Sequence, residues 1–140
     1  MNTLKLLASQ RDQAARLYGL YAAKFTGYTS FWQCLVEEGG NAAAFIRMSV
    51  PAAGVASPPV EAIDSLARLV DIELKIAYEP RLSLLHAFTA AFEIEQKILE
   101  VASLLRPEAM PTEVRNSVMH IQSSSGNQLE QVRLAMANLS

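Results

Sequence analysis

Apolar residues recur along this chain three and four positions apart, the spacing that gathers them on one face of an α-helix. Leu4, Ala8, Ala15, Tyr18, Ala22 and Phe25 form the first such ladder. It predicts a helix over Thr3–Lys24, capped by Asn2 or Thr3 and ended by Thr26-Gly27. The ladder passes through Arg11, a charge in the middle of an apolar seam. A second helix is predicted over Tyr28–Met48, capped by Thr29 or Ser30, with Phe31, Leu35, Gly39, Ala42 and Ile46 inward. Gly39-Gly40 inside it costs roughly 1 kcal/mol per glycine relative to alanine. Either packing requires that pair or the helix kinks there.

Ser49–Pro59, SVPAAGVASPP, holds three of the six prolines and reads as a linker. Val60–Tyr78 is again helical in pattern, with Ile63, Leu66, Ala67, Val70, Leu74 and Ala77 on one face and Glu79-Pro80 as its stop. A further helix is predicted over Leu82–Leu105, ended by Arg106-Pro107, with Phe88, Ala91, Ile98, Ala102 and Leu105 in its seam and Glu95 at mid-seam. The last is predicted over Thr112–Ala137. Val114, Val118, Ile121, Val132, Ala135 and Leu139 form its ladder, interrupted by Ser125 and Gln128. Four long helices with heptad seams predict an all-α four-helix bundle, in one domain over residues 1–140. The long crossover carries the extra Val60–Tyr78 helix, which is expected to cover one end or side.

Composition narrows the function classes. The chain has 140 residues, 51% hydrophobic and 19% charged, enough to bury a real core. A net charge of −2 with scattered Lys and Arg gives no basic stripe for nucleic acid. No run reaches the roughly 18 apolar residues of a membrane span, and the N-terminal MNTLKLLASQRD is too short and too soon charged for a signal peptide. The one cysteine, Cys34, excludes an intramolecular disulfide and suits a reducing compartment. The expectation is a cytoplasmic protein that binds neither nucleic acid nor membrane. No phosphate-binding glycine loop, nucleophile elbow or zinc-ligand spacing is present.

YTSFWQCLVEEGGNAAAFIRM resembles the second helix of ferritin-like, rubrerythrin-related proteins. There Phe-Trp is followed by Leu, an acidic run, an iron-ligand Glu, a His-Ala pair and Ile. The frame is kept here as Phe31, Trp32, Leu35, Glu37, Glu38, Ala43 and Ile46. AFTAAFEIE similarly resembles the family's third helix, whose final Glu is a ligand. The likeness extends over Gln10–Val50 and Ser83–Ala137. It implies a ferritin-like bundle built to hold two irons on a Glu from each of two helices and a Glu-x-x-His from each of the others. In this chain the aligned positions hold Arg11, Gly39, Ala42, Glu95, Ser125 and Gln128. Only Glu95 is a ligand, and a cation at Arg11 opposes metal. A second register reads Glu38 and Asn41 as the pair, which turns it off the seam and still offers no His. His86 and His120 are out of phase with the seams.

The resemblance therefore implies a bundle whose di-iron chemistry is gone, with no cofactor expected. Arg11 and Glu95 are expected to pair in the core, with Gly39 and Ala42 clearing room for the guanidinium and Ser125 and Gln128 completing a fully bonded network. That network reads as a plug in an abandoned site; an emptied pocket taking a small anion on Arg11 is the functional alternative. Tyr18, Tyr21, Phe25 and Trp32 read as packing, Cys34 as a buried structural thiol, Glu37-Glu38 as solvated, and Ser123–Gly126 as a weak segment with a local bend. The function expected is a non-catalytic binding or structural module, pairing as a homodimer, its protein partner or small ligand left open. The alternative is an iron-binding redox protein, handling peroxide or oxygen through Glu38, Glu95 and further ligands.

Overall fold

A computed structural model of the chain describes residues 3–49, 60–104 and 112–139. Among them every regular element is helical. The five α-helices are α1 (Thr3–Lys24), α2 (Thr29–Ser49), α3 (Val60–Ile76), α4 (Leu84–Ser103) and α5 (Thr112–Ala137). Asn2, the linker from residue 50 onward, Leu105, Arg106-Pro107, and the side chains of Leu4, Val114 and Val118 lie outside the described residues.

The connections follow local chemistry. One 3-10 turn, Thr26–Tyr28, joins α1 to α2. The Thr29 hydroxyl does not cap α2 as predicted; it donates backwards to the carbonyls of Ala22 at 3.2 Å and Thr26 at 3.0 Å. The preceding helical turn already approaches α2, so the side chain ties the two helices together instead. Ser83, extended in backbone, caps α4 by accepting from the His86 amide at 3.0 Å. Helix α4 thus starts two residues later than the apolar pattern implied.

Helix α1 is central. It packs on α2, α3 and α4, while α5 packs on α4 and α2, and α3 on α4. For this reason α1 is buried on two faces. Arg11, Tyr18 and Ala22 lie on the predicted ladder, and Leu7, Ala14, Leu17 and Tyr21 form a second one. Helix α3 flanks α1 and α4 and buries Ile63, Leu66, Val70 and Glu73, with Ala77 buried just past its end. Trp32, fully buried, is the hub of an aromatic cluster linking α1, α2 and α4. Its ring lies 4.9 Å from Tyr21, 5.0 Å from Phe31 and 5.1 Å from Phe88, the last stacked. Burying aromatics of this size contributes more to such a core than any single polar contact.

Candidate functional site

Midway along the seams lies a polar cluster inside this apolar core. Arg11 is 1% exposed and Glu95, Ser125 and Gln128 are 0% exposed. Arg11 Nη1 donates to Glu95 Oε1 at 2.9 Å and to Gln128 Oε1 at 2.5 Å, and Nη2 donates to Ser125 Oγ at 3.1 Å. The second carboxylate oxygen, Glu95 Oε2, accepts from the Tyr18 hydroxyl at 2.7 Å. Helices α1, α4 and α5 each supply a seam position, so three ladders that are apolar elsewhere meet here on charge. Burial, followed by the Glu95 carboxylate, pushes the Tyr18 phenol well above its usual value of 10.0.

Four of the six aligned positions thus meet in one network. The other two do not join it. A Cβ on Gly39 would stand 3.4 Å from Ala15 Cβ and 3.8 Å from the Arg11 carbonyl oxygen. Gly39 therefore serves the close crossing of α2 over α1 rather than clearing room for the guanidinium. Ala42 is buried, whereas Glu38 is half-buried and Asn41 exposed, so Gly39 and Ala42 face inward and Glu38 and Asn41 turn away. The network also falls short of full bonding: Arg11 Nε and Gln128 Nε2 have no partner among the described residues. A guanidinium brings five N–H donors, and the cluster answers them with Glu95 Oε1, Gln128 Oε1 and Ser125 Oγ.

The donor set does not fit a pair of iron ions. The only carboxylate in the cluster has one oxygen on a guanidinium and the other on a phenol. Among the described residues no three His, Cys, Asp or Glu stand together where they could hold a metal ion. Glu38 and Glu95, the alternative ligands, take separate partners. Glu38 Oε1 stands 3.6 Å from Cys34 Sγ and accepts from Gln131 Nε2 at 3.4 Å. An anion on Arg11 is disfavoured equally, since the guanidinium is buried and both its terminal nitrogens are engaged.

Two polar features escape an apolar-pattern reading. Glu73 continues the heptad Ile63, Leu66, Val70, Glu73, Ala77 and is 7% exposed, with its Oε2 2.9 Å from His86 Nε2 on α4. That spacing was the available signal, masked by the charge. Burial, then Glu73, raises the Tyr21 phenol far above its usual value, and the Tyr21 hydroxyl has no partner among the described residues. Cys34 is exposed rather than buried, since it precedes Leu35 and falls on the flank of the seam. Burial, then Glu38 and Glu37, push its thiol up, which makes it a poor nucleophile.

A cleft of about 250 Å³ separates α2 from α5 beside this flank. Glu38, Asn41 and Ala42 line one wall, and His120, Ser123, Ser124 and Asn127 the other. Phe45 stacks on the His120 ring at 4.4 Å and holds its orientation. Two runs of low helix propensity, Gly39-Gly40-Asn41 and Ser123–Asn127, pass this cleft, and Asn41, Ser123, Ser124 and Asn127 of them line it. Together the two runs cost α2 and α5 roughly 5 kcal/mol relative to alanine, yet both helices run unbroken through them.

Among the described residues no helix is long and apolar enough to cross a membrane. Compared with known proteins, the chain matches no family model, no curated protein and no solved structure.

Proposed function

We propose that this chain is a ferritin-like, rubrerythrin-related four-helix bundle, with α3 in its crossover, in which a buried ion-pair network stands at the di-iron position. It acts as a non-catalytic binding or structural module. One observation carries the reading: Arg11, Glu95, Ser125 and Gln128, the residues at four aligned ligand positions, converge on a single hydrogen-bonded cluster. A cation with its carboxylate partner occupies the centre where two metal ions would need four carboxylates. The protein is proposed to pair as a homodimer, the commonest closed assembly, through apolar side chains left in solvent such as Ile72, Tyr78 and Leu85.

Metal analysis of protein purified without chelator tests the central claim. The expected result is well below one iron, manganese or zinc per chain, unchanged by Glu95→Gln. Two tightly held ions per chain, lost in Glu95→Gln, would overturn the reading.

A further inference from the structure

The α2–α5 cleft has a chemistry of its own, apart from the Arg11 cluster. On α2, Glu38 and Asn41 stand three positions apart; on α5, His120, Ser124 and Asn127 stand at i, i+4 and i+7. Each set is therefore one helix face, and the two faces line one space. Asn41, Ser123, Ser124 and Asn127 make no side-chain hydrogen bond among the described residues, so both carboxamides and both hydroxyls are open to a ligand. Glu38 is different. Gln131 Nε2 and Cys34 Sγ hold its Oε1 from the protein side, while Oε2 has no partner among the described residues. A carboxylate with one oxygen anchored and one free is pre-positioned for a donor.

The charge balance decides what that donor is. Among the described residues the cleft lining contains one carboxylate and no lysine or arginine. Phosphates and carboxylic acids would enter with no fixed counter-charge and against Glu38. Asn41 on one wall and Ser123, Ser124 and Asn127 on the other, all of low helix propensity, face each other across this one space.

We infer that the α2–α5 cleft is a binding site for a small organic amine, whose ammonium group pairs with Glu38 while Asn41, Asn127 and the Ser123 and Ser124 hydroxyls bond its remaining polar atoms. The flat His120 ring, braced by Phe45, supplies the surface on which its alkyl part lies. The inference rests on the reading of the chain as a binding module but not on its kinship, so the metal analysis above and the test below fail separately.

Isotope-labelled full chain is titrated with 1,4-diaminobutane, glycerol and inorganic phosphate at matched ionic strength, and backbone and Asn side-chain amides are followed by NMR. Saturable shifts confined to Glu38, Asn41, Ser124, Asn127 and their neighbours are expected with the diamine and not with glycerol or phosphate. Glu38→Gln, which keeps shape and the bond from Gln131, should weaken binding about tenfold or more. Asn127→Trp, an exposed position on α5, should fill the cleft and abolish binding while the helical circular dichroism stays unchanged. Absence of saturation with the diamine, equal saturation by glycerol or phosphate, or unaltered affinity in both variants would each overturn the assignment.

Discussion

At the scale of single residues, the Arg11–Glu95 pair decides how the centre of this molecule is held. Two charges have been taken out of water, and their attraction offsets that cost only while both are present. Arg11→Met or Glu95→Leu alone leaves its partner buried and unpaired, and each should destabilise by roughly 3–5 kcal/mol. The double variant replaces charge by volume and should lose far less than the sum. Chemical denaturation of all four proteins gives the coupling directly; two near-neutral, additive single variants would show that the pair contributes nothing. Tyr18 adds a pH dependence. Its phenol, and that of Tyr21, titrate higher in the folded chain than the usual value of 10.0. Above about pH 10 the unfolded chain therefore binds fewer protons than the native one, and stability falls as pH rises. This contribution is complete below pH 10 and is lost as the pH climbs towards the folded-state values. The phenolate absorbance of Tyr18 and Tyr21 should appear only with loss of helix, and Tyr18→Phe should flatten the alkaline decline. Phenolate signals from all four tyrosines in protein that is still fully folded would contradict it.

Among the helices, what the sequence shows clearly is periodicity, and what it hides is everything that depends on a neighbour. The bounds of α1 and α5 follow their apolar ladders, because long amphipathic stretches specify both length and inner face. Arg11, Glu95, Ser125 and Gln128 could be placed on seams because they interrupt ladders of apolar residues. Glu73 interrupts one in the same way but is hidden in the sequence, since Leu74 offers an apolar alternative one position away. The second buried face of α1, with Leu7, Leu17 and Tyr21, is not legible, because it exists only once a third helix packs on α1 beside α2 and α4. Gly39 and Gly40 look alike in sequence and differ in space. A side chain at Gly39 meets Ala15, whereas one at Gly40 meets open solvent. Gly40→Ala should accordingly stabilise by roughly 0.5–1 kcal/mol through helix propensity alone, and Gly126→Ala in α5 likewise. Gly39→Ala gains the same propensity but presses on the α1 crossing, so its net effect should be smaller. Thermal unfolding of the three variants measures the difference; an equal gain at Gly39 would show that the crossing is not tight there.

Across the whole molecule, one contiguous cluster of buried apolar side chains draws on all five helices. Among the described side chains of α5, Ile121 and Val132 are fully buried members of it, and the two seam positions between them are Ser125 and Gln128. The polar cluster therefore takes part in its attachment, as does Gln122, whose Nε2 donates to the Ala102 carbonyl of α4 at 2.9 Å. Helix α3, by contrast, is held by Ile63, Leu66 and Val70 against α1 and α4, with Lys97 Nζ to Ser65 Oγ at 3.0 Å and Glu73 to His86 as polar ties. Because α1 touches α2, α3 and α4 at once, removing α3 would strip one face of the central helix. Melting should therefore be a single event for a chain of this size. Leu66→Ala, which opens a cavity beneath α3, should cost about 2–5 kcal/mol. It should shift far-UV circular dichroism and Trp32 fluorescence by the same amount, although Trp32 lies on α2 in the aromatic cluster. A helical signal that declines ahead of Trp32 fluorescence would show α3 to be an independent unit. The same unfolding curves report on association. A two-fold dimer that dissociates as it unfolds must have a midpoint that rises with protein concentration, and the proposed pairing through Ile72, Tyr78 and Leu85 requires that rise. Replacing Ile72 and Leu85 by Lys should then remove the concentration dependence while leaving the monomer's helix content in place. A midpoint independent of concentration in the unaltered chain would refute the dimer without touching the case for the buried network.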